Sequence, residues 1–531
     1  MLPELIIRGG LIADGSGKPA FRADLAIADG RIAEIGTIPH NAEIPHLNAT
    51  DLLVAPGFID IHSHSDFTLY ADPRAISSIT QGVTTEVVGN CGHGSAPIAD
   101  PEIAVGNIYG YLAGHDLSWR SMGQYLDSLE QRQPAVNILS LVPNGNLRLA
   151  TCGLVDRPAN ADELAKMEKL LAQSLEEGAF GYSTGLEYGP ERGCSEEEIA
   201  ALCRVAASVD SLYATHTRNL EGQAQESIAE AIRASRTAEI ALQISHISVV
   251  ARLQDDGAQA IAGALDQVEN ARTEGLDVGF DMHTRLFGTT HLSAALPPRV
   301  LAGDRAAIAH RLQDPATRRE IKAHRSIVTA LARGDWERIV LYQSQNQPEY
   351  SRKSIAEIAV ERNVEPLDAI CDILLAEIDN LHTPMIIAFS YREEDLRSVF
   401  AHPECMIGSD ATALAPNGPL AGCTFHGAYT WAAWFFRHFV RDQGTLAPEE
   451  AIRRLTSLPA ERLGLADRGV LRAGKRADLV VFAPETFAES GTTFDPNHLA
   501  TGVAHVLVNG VVTLKDGRLT GARGGQILRR N

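Results

Sequence analysis

A chain of 531 residues, 45% hydrophobic and 21% charged, is built as one large domain with insertions or as two to three domains, because domains run to ~100–200 residues and barrels to ~250 or more. This composition excludes a disordered chain, a collagen and a coiled coil, and a net charge of −20 with no cluster of lysines and arginines argues against a nucleic-acid partner. The longest near-apolar stretch, Ala428–Phe436, falls far short of the ~18 residues that cross a bilayer, so no membrane partner is expected. The opening MLPELIIRGG lacks the pattern of a secretory signal. Seven irregularly spaced cysteines do not make a disulfide framework, which makes a reducing cytoplasm the expected compartment.

Residues 1–54 hold short alternating runs (Leu5–Arg8, Leu25–Ile27, Arg31–Ile35) broken by Asp-Gly and Gly-Gly turns. From residue 55 to 466 short β-rich runs alternate with amphipathic helical segments such as Asp162–Glu177. The eight runs are Gly57–His62, Val83–Gly89, Val136–Val142, Ala179–Ser183, Leu212–His216, Leu242–His246, Val278–His283 and Cys405–Ser409. Eight β/α alternations predict a (β/α)8 barrel, and the missing glycine-rich fingerprint after the first run argues against an open doubly wound sheet. Residues 288–344 interrupt the rhythm and read as an insertion capping the barrel mouth. Residues 467–531 return to the character of the start, so both ends together predict one small β-sandwich.

In such a barrel, chemistry sits at the C-terminal ends of the strands. The first run ends Asp60-Ile61-His62-Ser63-His64, and histidines at i and i+2 on a strand face the same side. The second leads into Cys91, the fifth ends at His216, the sixth at His246 and the eighth at Ser409-Asp410. A lone strand histidine is usually a satisfied core residue, a lone cysteine a small hydrophobe and a strand-end aspartate a helix cap. Six such residues closing five strands on one rim make a metal site the better reading, and imidazole with thiolate favours zinc.

The run PGFIDIHSHSD resembles the amidohydrolase superfamily, and GNCGHG, THTRN and ISHIS are similar to its D-aminoacylase (N-acyl-D-amino acid deacylase) branch. The C-terminal LTSLPAERLGLADRGVLRAGKRADLVVF and VLVNG extend the resemblance over nearly the whole chain. The resemblance implies metal ligands His62, His64, Cys91, His216 and His246, with Cys91 in place of the bridging lysine of other amidohydrolases. It implies one tight zinc site and a weaker second one, Asp410 as catalytic acid–base, and Tyr188 on the carbonyl of a small-molecule amide substrate. A silent scaffold has no chemical need to keep all six.

The chain also departs from that branch. Ser248 stands where the branch carries a lysine for the substrate carboxylate, and Leu420 where it carries an arginine. The DxYPY segment has become Asp281-Met282-His283-Thr284-Arg285. Leucine cannot replace a bidentate arginine. Either the anchor has moved, with Arg285, Arg252 or Arg218 as candidates, or the substrate is a neutral or aromatic amide, carbamate or cyclic amide. His283 and His426 complete the expected substrate-binding set. The aromatic run Tyr429, Trp431, Trp434, Phe435 and Phe436 reads more readily as core than as pocket.

Overall fold

The computed structural model describes residues 3–112, 114–218, 223–247 and 257–530. Eight parallel strands form one sheet: β1 (Phe58–Asp60), β2 (Val83–Val88), β3 (Asn137–Pro143), β4 (Gly181–Gly185), β5 (Leu212–His216), β6 (Ala241–Ile244), β7 (Val278–His283) and β8 (Cys405–Gly408). Nearly every residue in them is buried, as a parallel sheet covered on both faces requires. Side-chain alternation divides each strand between two cores. On β7, Val278, Phe280 and Met282 join the outer core under the helices, which leaves Gly279, Asp281 and His283 on the other face. On β5, Leu212 and Ala214 fill the barrel interior together with Leu139, Leu141 and Met406, and His216 shares their face.

The barrel closes between β8 and β1. Asp410 N–H donates to His62 O (2.8 Å) and His64 N–H to Ala411 O (2.7 Å), so the closing seam sets Asp410 beside the two histidines. Gly408 permits this approach, because a Cβ there would lie 2.8 Å from His62 Cβ.

Nine strands from the two chain ends make a second sheet, in which Leu53–Pro56 pairs antiparallel with Leu479–Phe482. The strand Leu53–Pro56 runs across the boundary expected at residue 54. A third sheet joins Gly288–His291, Ile339–Leu341 and Met385–Ala388, all antiparallel, over a core of its own. The insertion expected over 288–344 is thus too short. The central strand of this sheet is Met385–Ala388, which follows the helices Ile355–Arg362 and Pro366–Ala376. An amphipathic helix followed by a short apolar run reads as a βα unit whichever sheet it joins, so the sequence pattern hid the longer excursion. Among the described residues no helix is long and apolar enough to cross a membrane.

Candidate metal centre and active site

Two groups of donors meet at the C-terminal mouth of the barrel: His62, His64, Cys91 and Asp410, and Cys91, His216 and His246. Within each group the donor atoms all lie within 4.8 Å of one another. His62 Nε2 is 3.2 Å from Cys91 Sγ, Cys91 Sγ is 3.5 Å from His246 Nε2, and His246 Nε2 is 3.0 Å from His216 Nδ1. Asp410 Oδ1 lies 3.2 Å from His64 Nε2 and 3.7 Å from His62 Nε2.

Three of these residues occupy left-handed backbone: Cys91 (φ 53°), His246 (φ 33°) and Asp410 (φ 45°). Non-glycine residues adopt that region at a cost of about 1–3 kcal/mol, tolerated where surrounding bonds hold them. His246 is held by Asp281, whose Oδ1 accepts its backbone N–H at 2.9 Å while also facing His62 Nδ1 at 3.2 Å. Gln243 donates to the other oxygen of Asp281 (2.8 Å). Glu187 Oε2 stands 3.0 Å from His216 Nε2. Carboxylates behind ligand imidazoles fix ring orientation and raise ligand basicity. Neither Asp281 nor Glu187 stood out in the sequence, although both lie within the segments DMHTR and GLEYGP.

The donor set fits a cation. Burial pushes the Cys91 thiol up to about 11, so a thiolate forms there only beside a bound positive charge. Burial drives His246 down to about 3, which leaves its ring neutral and able to ligate. Burial alone would raise Asp410, but the His64 hydrogen bond and the Arg285 charge prevail and hold it well below the usual carboxylate range. Its side chain keeps 18% exposure, whereas those of His62 and His64 keep 1% and 4%. Asp410 is therefore the member of its group most open to the cavity above.

That cavity measures about 50 Å³ and is lined by Asp410, Tyr188, His283, Tyr391 and, from the third sheet's unit, Ile327 and Leu331. Burial holds the Tyr188 hydroxyl well above its ordinary range, hence protonated. An outer vestibule of about 1350 Å³ adjoins it, and Tyr109 and Phe425 line both spaces. Tyr109 stacks on His291 (4.5 Å, 12°) and packs against His64 at 4.7 Å. Sequence reasoning passed over Tyr109, which lies in a loop without motif or periodicity.

The substrate-binding expectations fare differently. His283 lines the cavity. Arg285 does not: its guanidinium is bound to Asp410 and to backbone carbonyls. Arg218 is paired with Glu230 at 3.0 Å. Leu420, 1% exposed, belongs to the outer core. His426 turns away to Thr493 O (2.7 Å). Ser248 and Arg252 lie outside the described residues. Tyr429, Trp431, Phe435 and Phe436 are buried in the core and none lines the cavity.

The amidohydrolase family model matches residues 46–514. The chain belongs to the amidohydrolase family. It is 33% identical to an N-acyl-D-glutamate deacylase of Alcaligenes xylosoxydans xylosoxydans over 99% of this chain and 97% of the relative. To the D-aminoacylase of the same organism it is 31% identical over 99% and 98%. The N-acyl-D-glutamate deacylase of Bordetella bronchiseptica, solved with zinc and a phosphonate mimic of the tetrahedral intermediate, is 30% identical with a TM-score of 0.80 over 100% of both chains. A D-aminoacylase described as having a binuclear metal centre aligns with a TM-score of 0.83 at 30% identity, again over 100% of both chains. This amidohydrolase is a metal-dependent hydrolase of carbon–nitrogen bonds other than peptide bonds, and zinc suits its donors.

Proposed function

We propose that this amidohydrolase removes the acyl group from a small N-acylated amine, as a deacylase of the N-acyl-D-amino acid type. One observation carries the reading: Asp410, the carboxylate of the donor group it forms with His62, His64 and Cys91, opens into an inner cavity that Tyr188 also lines. Cys91, His216 and His246 would hold one ion, and His62 and His64 with Cys91 a second, weaker one. Zinc supplies Lewis acidity there, bringing the ionisation of water from about 15.7 towards ~7. Asp410 accepts the proton of the attacking water and returns it to the leaving nitrogen, a general base that becomes a general acid. The Tyr188 hydroxyl donates to the scissile carbonyl oxygen as charge builds there. The seven cysteines, all free, support a reducing compartment.

A second reading concerns the substrate and rests on a specific observation. Among the described residues no lysine or arginine lines the inner cavity, and Asp100, Glu102, Asp116, Asp304 and Asp379 surround the vestibule with Arg305. A carboxylate brought into the inner cavity meets no lysine or arginine among the described residues, and desolvating it unpaired costs several kcal/mol. The geometry therefore favours an amide with a neutral group beside the scissile bond. A panel of N-acetyl-D-amino acids, their amides, aryl amides and cyclic amides tests both readings. Turnover of none of these sinks the deacylase reading, and efficient turnover of free N-acetyl-D-amino acids sinks the preference for neutral substrates.

A further inference from the structure

Arg285 directly follows Thr284 at the end of β7 and is buried, 6% exposed. Its Nη1 donates to the carbonyls of Ser409 (3.0 Å) and His426, and its Nη2 to the carbonyl of Asp410 (2.9 Å) and to Asp410 Oδ2 (2.9 Å). All four hydrogens of the two terminal nitrogens are engaged. Gly427 makes the space for this group: a Cβ there would collide with Nη1. The clamp grips Asp410 twice, at its side chain and at the carbonyls on either side of its left-handed α-carbon.

We propose that Arg285 is a positioning residue for the reaction. Its guanidinium fixes Asp410 Oδ2, so that Oδ1 alone faces His62, His64 and the water to be deprotonated. The inference rests on the reading of Asp410 as the proton carrier. A carboxylate swung by an ångström loses its line to the reacting atoms, which costs on the order of 100-fold in rate. An anchor for the substrate behaves otherwise, because its loss raises KM.

The test uses the zinc-loaded full chain and the best substrate of the panel. Arg285→Gln is expected to lower kcat by about 100-fold, with KM changed less than threefold and zinc content unchanged. Arg285→Lys, whose single ammonium reaches one oxygen at a time, is expected between the two. Adding Arg285→Gln to Asp410→Asn is expected to cost nothing further, since the residue acts through the carboxylate. A crystal structure of Arg285→Gln is expected to show the Asp410 carboxylate turned from its native position. A wild-type kcat in Arg285→Gln, a rise in KM alone, or additive losses in the double variant overturns the proposal. Should Arg285→Gln fail to fold, Arg285→Lys decides: a reduced kcat at constant KM supports the clamp and a full kcat overturns it. Near-native activity in Asp410→Asn would instead remove the catalytic reading itself, which separates the two failures.

Discussion

Glu187 Oε2 and His216 Nε2 meet at 3.0 Å, and this contact turns the other ring nitrogen of His216 toward His246, also at 3.0 Å. The rim carboxylate thereby chooses which nitrogen can ligate. Removing such a partner typically lowers metal affinity 10–100-fold. Glu187→Gln is expected to lose zinc to a competing chelator at a concentration lower by about that factor. Chelator resistance equal to wild type would show that His216 needs no such orientation.

Cys91 belongs to both candidate donor groups, so its loss would weaken any ion held by either. Cys91→Ala is expected to retain little zinc by elemental analysis and little activity. Full zinc occupancy in that variant would mean that the histidines and Asp410 suffice and that the shared thiolate is misassigned.

Asp410→Asn is expected to reduce activity by at least ~10³-fold, because an amide cannot take the proton. The Arg285 clamp adds a second consequence. Arg285, with 5% of its side chain exposed, loses its partner carboxylate 2.9 Å away. Stranding a buried charge costs about 3 kcal/mol or more, so the melting temperature falls along with the rate. An unchanged melting temperature would argue that the backbone carbonyls alone accommodate the guanidinium.

The candidate donors were legible because they end strands whose spacing the barrel dictates, and the structure brings His62, His64, Cys91, His216, His246 and Asp410 together at the barrel mouth. What holds them was not legible. Asp281 behind His62 and Glu187 behind His216 are ordinary acidic residues in sequence, and only the closed barrel brings them within 3.2 Å of their partners. Arg285 illustrates the harder case. A cation beside a missing anchor suggests a replacement anchor, yet its burial against three carbonyls depends on the fold of residues 409–427, far along the chain. The third sheet failed for the opposite reason, since its helices and strands obey the same local periodicity as the barrel's own.

Glu191 offers a pH test of the packing behind the Cys91 loop, since its carboxylate lies against Gly92. Its Oε2 accepts from Gly185 N–H and Asn144 Nδ2, both at 3.0 Å, and burial pushes its carboxyl up to about 7 from an ordinary value near 4.5. A carboxyl raised in the folded state contributes stability that is full below pH ~4.5 and is lost as pH rises through about 7. Glu191→Gln keeps the acceptor and never ionises. Its melting temperature is expected to match wild type near pH 4.5 and to exceed it at pH 8.5, by up to roughly 3 kcal/mol of stability. Parallel pH profiles for the two proteins would contradict the buried neutral form.

Tyr109 separates the two cavities, and its replacement probes how substrate enters. The inner space of about 50 Å³ holds only a few waters, at ~10–15 Å³ of such volume each, and cannot hold an acylated amine without movement of its walls. Tyr109 is stacked on His291 and set edge-on to Phe425 at 5.6 Å, and its hydroxyl meets Thr290 Oγ1 at 3.4 Å and also pairs with the Tyr188 side chain. Its ring, rather than its hydroxyl, is the barrier. Tyr109→Phe keeps the ring, so its preference between large and small acyl groups is expected to stay within about threefold of wild type. Tyr109→Ala joins the vestibule to the inner cavity, which admits bulkier acyl groups and lets water in beside Asp410. Relative kcat/KM for a large over a small acyl group is expected to rise at least ~10-fold in Tyr109→Ala, a shift of about 1.4 kcal/mol in discrimination, while kcat for the small substrate falls. If Tyr109→Ala preserves the wild-type ratio, the acyl group does not pass this ring, and the wall formed by Ile327 and Leu331 becomes the one that must open.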